Sequence, residues 1–420
     1  MLRNNPLVTI LFCSVILSSP LQWQRIASLG GLTVASFHLF SFLFCLSVLT
    51  NKGFLQSARI HRISGFCVAL FLYFLLLTTV SMSDSGHYNL RDFVRQSFYI
   101  ATAMSVSIFL SVKGFRFRNA NMVVCFISLT PFLLVYLMWT AINETSNPAL
   151  ILYAAIMQRD PDLLIHHIFK AAINSGEDNV SAVQANLRHQ IVGAILAAIF
   201  FNVTILMANK DFIGRVTRLI FSASIFFSVS IIIASMSRSI ILSGFLAFIV
   251  YLMLSFRINA KSILFFILLI LAVILILFSP IGEIIYVRTT GNTASYDARL
   301  GFSFVALESI NKNILFGTLS EAQSPHNLII DFWMSFGLFG LISSLFLIGS
   351  IVVASYKTGI VGFRTNSFIL KMSCIALCLP LVRWFTASKG QLSFPEWICV
   401  GLVLACVMYK GSEHKFLNRK

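Results

Sequence analysis

From Ser262 to Ser279 the chain reads SILFFILLILAVILILFS, eighteen residues without a charge, a glycine or a proline. A helix of that length is about 27 Å long, close to the roughly 30 Å of hydrocarbon in a bilayer. Inside lipid every backbone N–H and C=O must be bonded within the protein, so helices or a closed β-barrel are the only spanning structures. A barrel strand alternates apolar and polar residues, and this run does not alternate. The expected fold class is therefore all-α, a polytopic integral membrane protein. Composition agrees, because 58% of the 420 residues are hydrophobic and only 11% charged, more lopsided than a soluble domain of this length.

Apolar runs between charged or Gly/Pro/Asn-marked breaks give twelve expected spans. They are Leu7 to Ser19, Leu29 to Leu49, Ser64 to Met82, Ser97 to Val112, Met122 to Ile142, Gln190 to Ala208, Leu219 to Met236, Ile240 to Phe256, Ser262 to Ser279, Leu328 to Val353, Ser367 to Trp384 and Trp397 to Tyr409. The first also resembles the core of a signal peptide, a short apolar run after Arg3 that ends in Ser18, Ser19 and Pro20. The chain reads as one membrane domain, 1–420, without internal repeats.

The net charge of +16 raises the question of a nucleic-acid surface, which would gather its cations in one patch. Here they follow the spans instead. One side of the segmentation carries eighteen basic residues and only the acids Asp211 and Glu413; the other carries twelve basic residues and thirteen acids, with Lys371 inside a span. The basic side is expected to be cytoplasmic, with both termini on it, and no nucleic-acid partner is expected. All eight cysteines fall inside apolar spans, where they read as small buried hydrophobes. Two connections on the opposite side are long, Asn143 to His189 and Pro280 to Pro325; the first contains Asp160-Pro161, the start of a short amphipathic helix expected to lie on the membrane surface.

The sharpest local pattern runs from Ser324 to Gly340, Ser-Pro-His-Asn-Leu-Ile-Ile-Asp-Phe-Trp-Met-Ser-Phe-Gly-Leu-Phe-Gly. His326 is expected to open the tenth span, where the positive end of the helix dipole disfavours imidazolium and leaves a neutral ring able to act as a general base. A histidine that merely caps the helix is the alternative. Arg238 lies in the tight Ser237-Arg238-Ser239 connection between two apolar spans, where an arginine near bilayer depth needs an anionic partner or must snorkel to the headgroups. Arg299, with Arg288 nearby, precedes a helix expected over Leu300 to Ile310. A guanidinium can grip a diphosphate bidentately, or Arg299 could pair with Asp297 or Glu308. Asp160 and Asp162 have the spelling of some metal-dependent glycosyltransferases, but the helix start explains them better. Adjacent His166 and His167 diverge on a helix. No P-loop, zinc-type helix or dinucleotide turn is present, so neither metal nor cofactor is expected.

Three segments resemble the bacterial O-antigen ligase and O-antigen polymerase superfamily. They are Ile233 to Arg238; Ala298-Arg299-Leu300 followed by Asn313-Ile314-Leu315-Phe316-Gly317; and His326-Asn327, with nine residues between Asn327 and Gly337 and Gly340 three residues later. Together they cover residues 219 to 345, and the topology extends the likeness along the chain. The resemblance implies transfer of a glycan from undecaprenyl diphosphate at the outer face of the bacterial inner membrane, without metal, cofactor or nucleotide sugar. It implies His326 as the base, Arg238 and Arg299, with Arg288, as the cations on the donor diphosphate, and Asn327, Gly337 and Gly340 as structural positions. Gly317 is followed by Thr318 and Leu319 where relatives often show a second glycine, and the stretch from Arg299 to His326 is compact. Ser-Pro-His-Asn followed by an apolar residue and Asp331 favours a repeat-unit polymerase over a ligase that would transfer to lipid A-core. The remaining expectation is a lipid-linked oligosaccharide flippase or other transporter, disfavoured because Lys371 is the one clearly intramembrane charge.

Overall fold

The computed structural model describes residues 6–19, 27–29, 32–34, 36–81, 90–133, 182–234, 237–255, 293–317, 327–386 and 394–409. In chain order its elements are α1 (Pro6–Ser18), strands β1 (Ala27–Leu29) and β2 (Leu32–Val34), α2 (Ser36–Leu49), α3 (Lys52–Ser57), a 3-10 turn (Ile60–Ile63), α4 (Ser64–Ser81), α5 (Leu90–Lys113) and α6 (Ala120–Ser128). Then come α7 (Ala182–Ala208), α8 (Arg215–Ala234), α9 (Arg238–Ser255), α10 (Thr293–Lys312), α11 (Leu328–Thr365), α12 (Phe368–Thr386) and α13 (Phe394–Met408).

Six helical stretches among the described residues are long and apolar enough to cross a membrane: Ile60–Thr78, Phe93–Lys113, Arg215–Ile232, Arg238–Ser255, Leu328–Thr365 and Phe368–Thr386. Five shorter apolar helices coincide with five further expected spans, and Ser262 to Ser279 lies outside the described residues. One expected span starts differently. Leu29 to Leu49 opens as an antiparallel hairpin, with Leu29 opposite Leu32, and its helix begins only at Ser36. Between the paired strands the sequence reads Gly30-Gly31, a composition that favours hairpins because glycine accepts φ > 0 at no steric cost.

The bundle is built around α13. Every residue from Phe394 to Met408 is buried, as befits a helix that is apolar all round. It crosses α5 backbone to backbone: a Cβ on Gly401 would lie 2.6 Å from the carbonyl oxygen of Ala103. Small residues let helices approach in lipid, where dispersion rather than water expulsion drives packing. At the periphery, α8 and α9 present Leu219, Phe226 and Met253 outward, each at least 70% exposed, a surface that suits lipid and not water.

Helix contacts sort the connections into two ends. At one, Arg62 donates to the Tyr409 carbonyl (3.1 Å), Asn209 Nδ2 to Phe115 O (2.8 Å) and Asn121 Nδ2 to Phe212 O (3.2 Å). The basic connections around residues 52–63, 114–119 and 209–214 thus pack together. Lys371 belongs to this end too. It lies inside an apolar helix as expected, in the first turn of α12, with its ammonium on Asn366 Oδ1 at 3.1 Å. Asn366 closes α11 in the left-handed conformation (φ 52°) with Ser367 N donating to Gly362 O at 2.9 Å, so α11 runs twelve residues beyond the expected Val353.

Candidate functional site

The opposite end gathers the starts of α9, α11 and α13 and the end of α12. Its most costly feature is a buried ion pair. Arg383 Nε donates to Glu396 Oε1 at 2.6 Å, with the two side chains 6% and 0% exposed. Taking both charges out of water is expensive, and two helix dipoles offset part of that cost. Arg383 sits in the last turn of α12, the negative end, and Glu396 in the first turn of α13, the positive end. A third partner joins: Arg383 Nη1 donates to Ser239 Oγ at 3.1 Å. Ser239 follows Arg238, so the pair anchors the start of α9. Arg238 is exposed and is the first residue of that helix, where the sequence reading expected a tight loop; Ser237 before it is buried and its carbonyl accepts from Ile240 and Ile241 (3.0 and 2.9 Å).

From Glu396 an aromatic path leads to α11. Trp397 lies 5.8 Å from Trp384 and 6.5 Å from Tyr73, ring to ring, and Tyr73 stacks on Phe332 at 5.0 Å. Tyr73 also donates its hydroxyl to Gln96 Oε1 at 2.6 Å. Beside Phe332, Asp331 is 1% exposed in the first turn of α11. The path connects the two helix starts indirectly, since α9 and α11 themselves approach at the other end, where Leu254 faces Gly359.

The start of α11 carries a side-chain cap. Asn327 is the N-cap; its Oδ1 accepts from Ile329 N and Ile330 N at 3.0 and 3.4 Å. His326 therefore precedes the cap rather than occupying the first turn, because the asparagine takes the capping position; His326 itself lies outside the described residues. Ten residues on from Asn327, Gly337 breaks the helix with φ 62° and ψ −148°, a region open in practice only to glycine. The chain folds back there. In a straight helix Phe332 and Gly340 would stand about 12 Å apart along the axis, yet a Cβ on Gly340 would collide with the Phe332 carbonyl. The segment after α10 locks the break: Leu338 N donates to Leu315 O at 3.2 Å, a Cβ on Gly337 would run into the Leu315 carbonyl, and one on Gly317 (φ 73°) would lie 2.5 Å from Gly337 N. Meanwhile Ala306 and Ile310 of α10 pack on Met334.

Helix α10 is longer than expected, Thr293–Lys312 rather than Leu300 to Ile310. It includes Arg299 in its backbone, while the Arg299 side chain, Arg288, Asp160, Asp162, His166 and His167 lie outside the described residues. Glu308 pairs with Lys312 at 3.0 Å. The structure thus brings the Gly317 and Gly337 segments into direct contact, with Asn327 as the cap of the same helix, and ties the Arg238 helix to the Arg383–Glu396 pair. Sequence reasoning missed that pair. Its signal was an arginine and a glutamate at facing ends of consecutive apolar runs, with signs that match the helix dipoles. The cysteines stand as expected, all free; five are buried and Cys67, Cys125 and Cys374 partly so. The chain matches no family model and no curated protein.

Proposed function

We propose that this chain is a membrane glycosyltransferase of twelve spans that moves an undecaprenyl-diphosphate-linked glycan to an acceptor sugar hydroxyl, and that it acts as an O-antigen repeat-unit polymerase. The reaction belongs on the periplasmic face of the bacterial inner membrane, with both termini cytoplasmic; the eighteen-to-twelve basic asymmetry in the sequence supports that orientation. The observation that carries the reading is the clamped start of α11. Asn327 caps that helix and the Gly317–Gly337 contact ties its first ten residues to the segment after α10; His326 is the residue before the cap, where a group that must meet a reacting hydroxyl can be positioned.

In this mechanism His326 takes the proton of the acceptor hydroxyl as its oxygen attacks the anomeric carbon of the donor. The bond from that carbon to phosphate oxygen breaks, and undecaprenyl diphosphate leaves with the electron pair. Arg238 and Arg299, with Arg288, neutralise the departing charge. Glu396 and Arg383 touch no reacting atom; through Ser239 they position the start of α9.

The deciding experiment supplies purified protein with undecaprenyl-diphosphate repeat units and EDTA. Chains lengthened on the carrier support the polymerase, whereas product formed only with lipid A-core supports the ligase. His326→Ala is expected to lower the rate about 10² to 10⁴-fold with donor affinity retained, and Arg238→Lys to recover part of what Arg238→Ala loses. Full activity in His326→Ala would overturn the assignment.

A further inference from the structure

The turn that meets the break in α11 holds its apolar side chains away from the protein. Ile314, Leu315 and Phe316 follow α10 directly and all three are exposed, Phe316 to 73%. Their backbone is fixed: Gly317 N donates to Asn313 O at 3.0 Å and Leu338 N to Leu315 O at 3.2 Å. Three consecutive large apolar side chains held out in water forgo the free energy of burial, which acyl chains around them restore.

The depth of the turn follows from the helix to which it is bonded. From Leu338 to Tyr356, α11 carries no charge, and the exposed Lys357 comes next, toward the basic end. Those nineteen residues rise about 28 Å, close to the roughly 30 Å of hydrocarbon in a bilayer. Leu338 therefore stands at the hydrocarbon boundary remote from the basic end, and Leu315, whose carbonyl it bonds, stands at the same level. Phe339 and Ile342, 64% and 54% exposed, begin the lipid-facing surface of α11, and the turn is continuous with that surface. Polar groups mark the far side of the boundary. Two residues before Ile314, Lys312 pairs with Glu308 at 3.0 Å with side chains 71% and 68% exposed, and so solvated a pair belongs among water and headgroups.

We infer that Ile314, Leu315 and Phe316 form a wedge among the acyl chains of the leaflet opposite the basic end, with the Glu308–Lys312 pair of α10 at headgroup level. The wedge anchors the Gly317–Gly337 junction at the membrane surface and so sets the height at which α11 enters the bilayer. This holds whatever reaction the protein catalyses.

Spin labels on single cysteines in a cysteine-free background, with the full chain in vesicles of phosphatidylethanolamine and phosphatidylglycerol, test it. Oxygen concentrates in hydrocarbon and a nickel chelate in water, so the two relaxants report which phase a label meets. A label at Phe316→Cys is expected to collide more often with oxygen than with the chelate, as at Phe339→Cys on α11. Asn311→Cys, on the exposed side of α10, is expected to show the reverse. Ile314→Cys repeats the measurement if the first label disturbs the turn. Collisions dominated by the chelate at residues 314 and 316 would overturn the wedge, because the turn would then sit in water. Few collisions with either relaxant would overturn it as well, because another part of the protein or a second copy would then cover the surface.

Discussion

Replacing Gly337 by alanine separates a helix that is merely kinked from one that is locked. At φ 62° and ψ −148° an alanine meets a backbone cost of about 1–3 kcal/mol. Its Cβ would run into the Leu315 carbonyl, so residues 313–317 must withdraw, which sacrifices the Leu338 N to Leu315 O hydrogen bond, worth about 1 kcal/mol. Overpacking adds about 1–3 kcal/mol, for a total of about 3 kcal/mol or more. Gly349 is the matched control, in the same helix with nothing within 4 Å of a built Cβ. There alanine should stabilise by about 0.5–1 kcal/mol. Unfolding in mixed micelles of dodecyl sulfate and maltoside gives the two free energies, and hydrogen exchange at Leu338 reports the lock directly. Gly337→Ala within about 0.5 kcal/mol of wild type, with Leu338 still protected, would refute the reasoning.

Other outcomes follow from the same end of the bundle. Glu396→Gln or Arg383→Met should each destabilise by about 3–5 kcal/mol by stranding a buried charge, while the double change to Met at both positions recovers most of the loss; additive losses in the double-mutant cycle would contradict the pairing. Asn327→Ala should cost about 1 kcal/mol and Asn327→Asp little, since aspartate also caps; equal melting of the two variants would argue against the cap. Single cysteines at Asn366 and Ser324 in a cysteine-free background should label from opposite faces of the membrane, and labelling from one face would dismantle the proposed topology.

The positions of helices were legible because long apolar runs leave the backbone no alternative in lipid. Departures came where pairing across the chain decides. Leu29 to Val34 reads as the beginning of a span by hydropathy, yet Gly30-Gly31 favours a hairpin, a signal present in the sequence but outweighed by the apolar run. Gly337 and Gly340 stood out only by their spacing from Asn327, and nothing local says that Leu315 will press against them. Arg383 and Glu396 were legible as charges at the ends of apolar runs. Their salt bridge depends on how far α12 and α13 slide past each other, which neither sequence specifies alone. Asn327 is the opposite case: an asparagine before Leu-Ile-Ile is a strong cap on local grounds.

Helix α13 is buried on every side, and each helix that surrounds it precedes it in the chain. During synthesis the surfaces that pack on it, the Ala103 face of α5 and the end of α12 that carries Arg383, are therefore made before their partner. When Phe394 to Met408 enters, Gly401 lets it slide against Ala103 and Glu396 meets its arginine, so the end of the bundle that holds the proposed site is completed last.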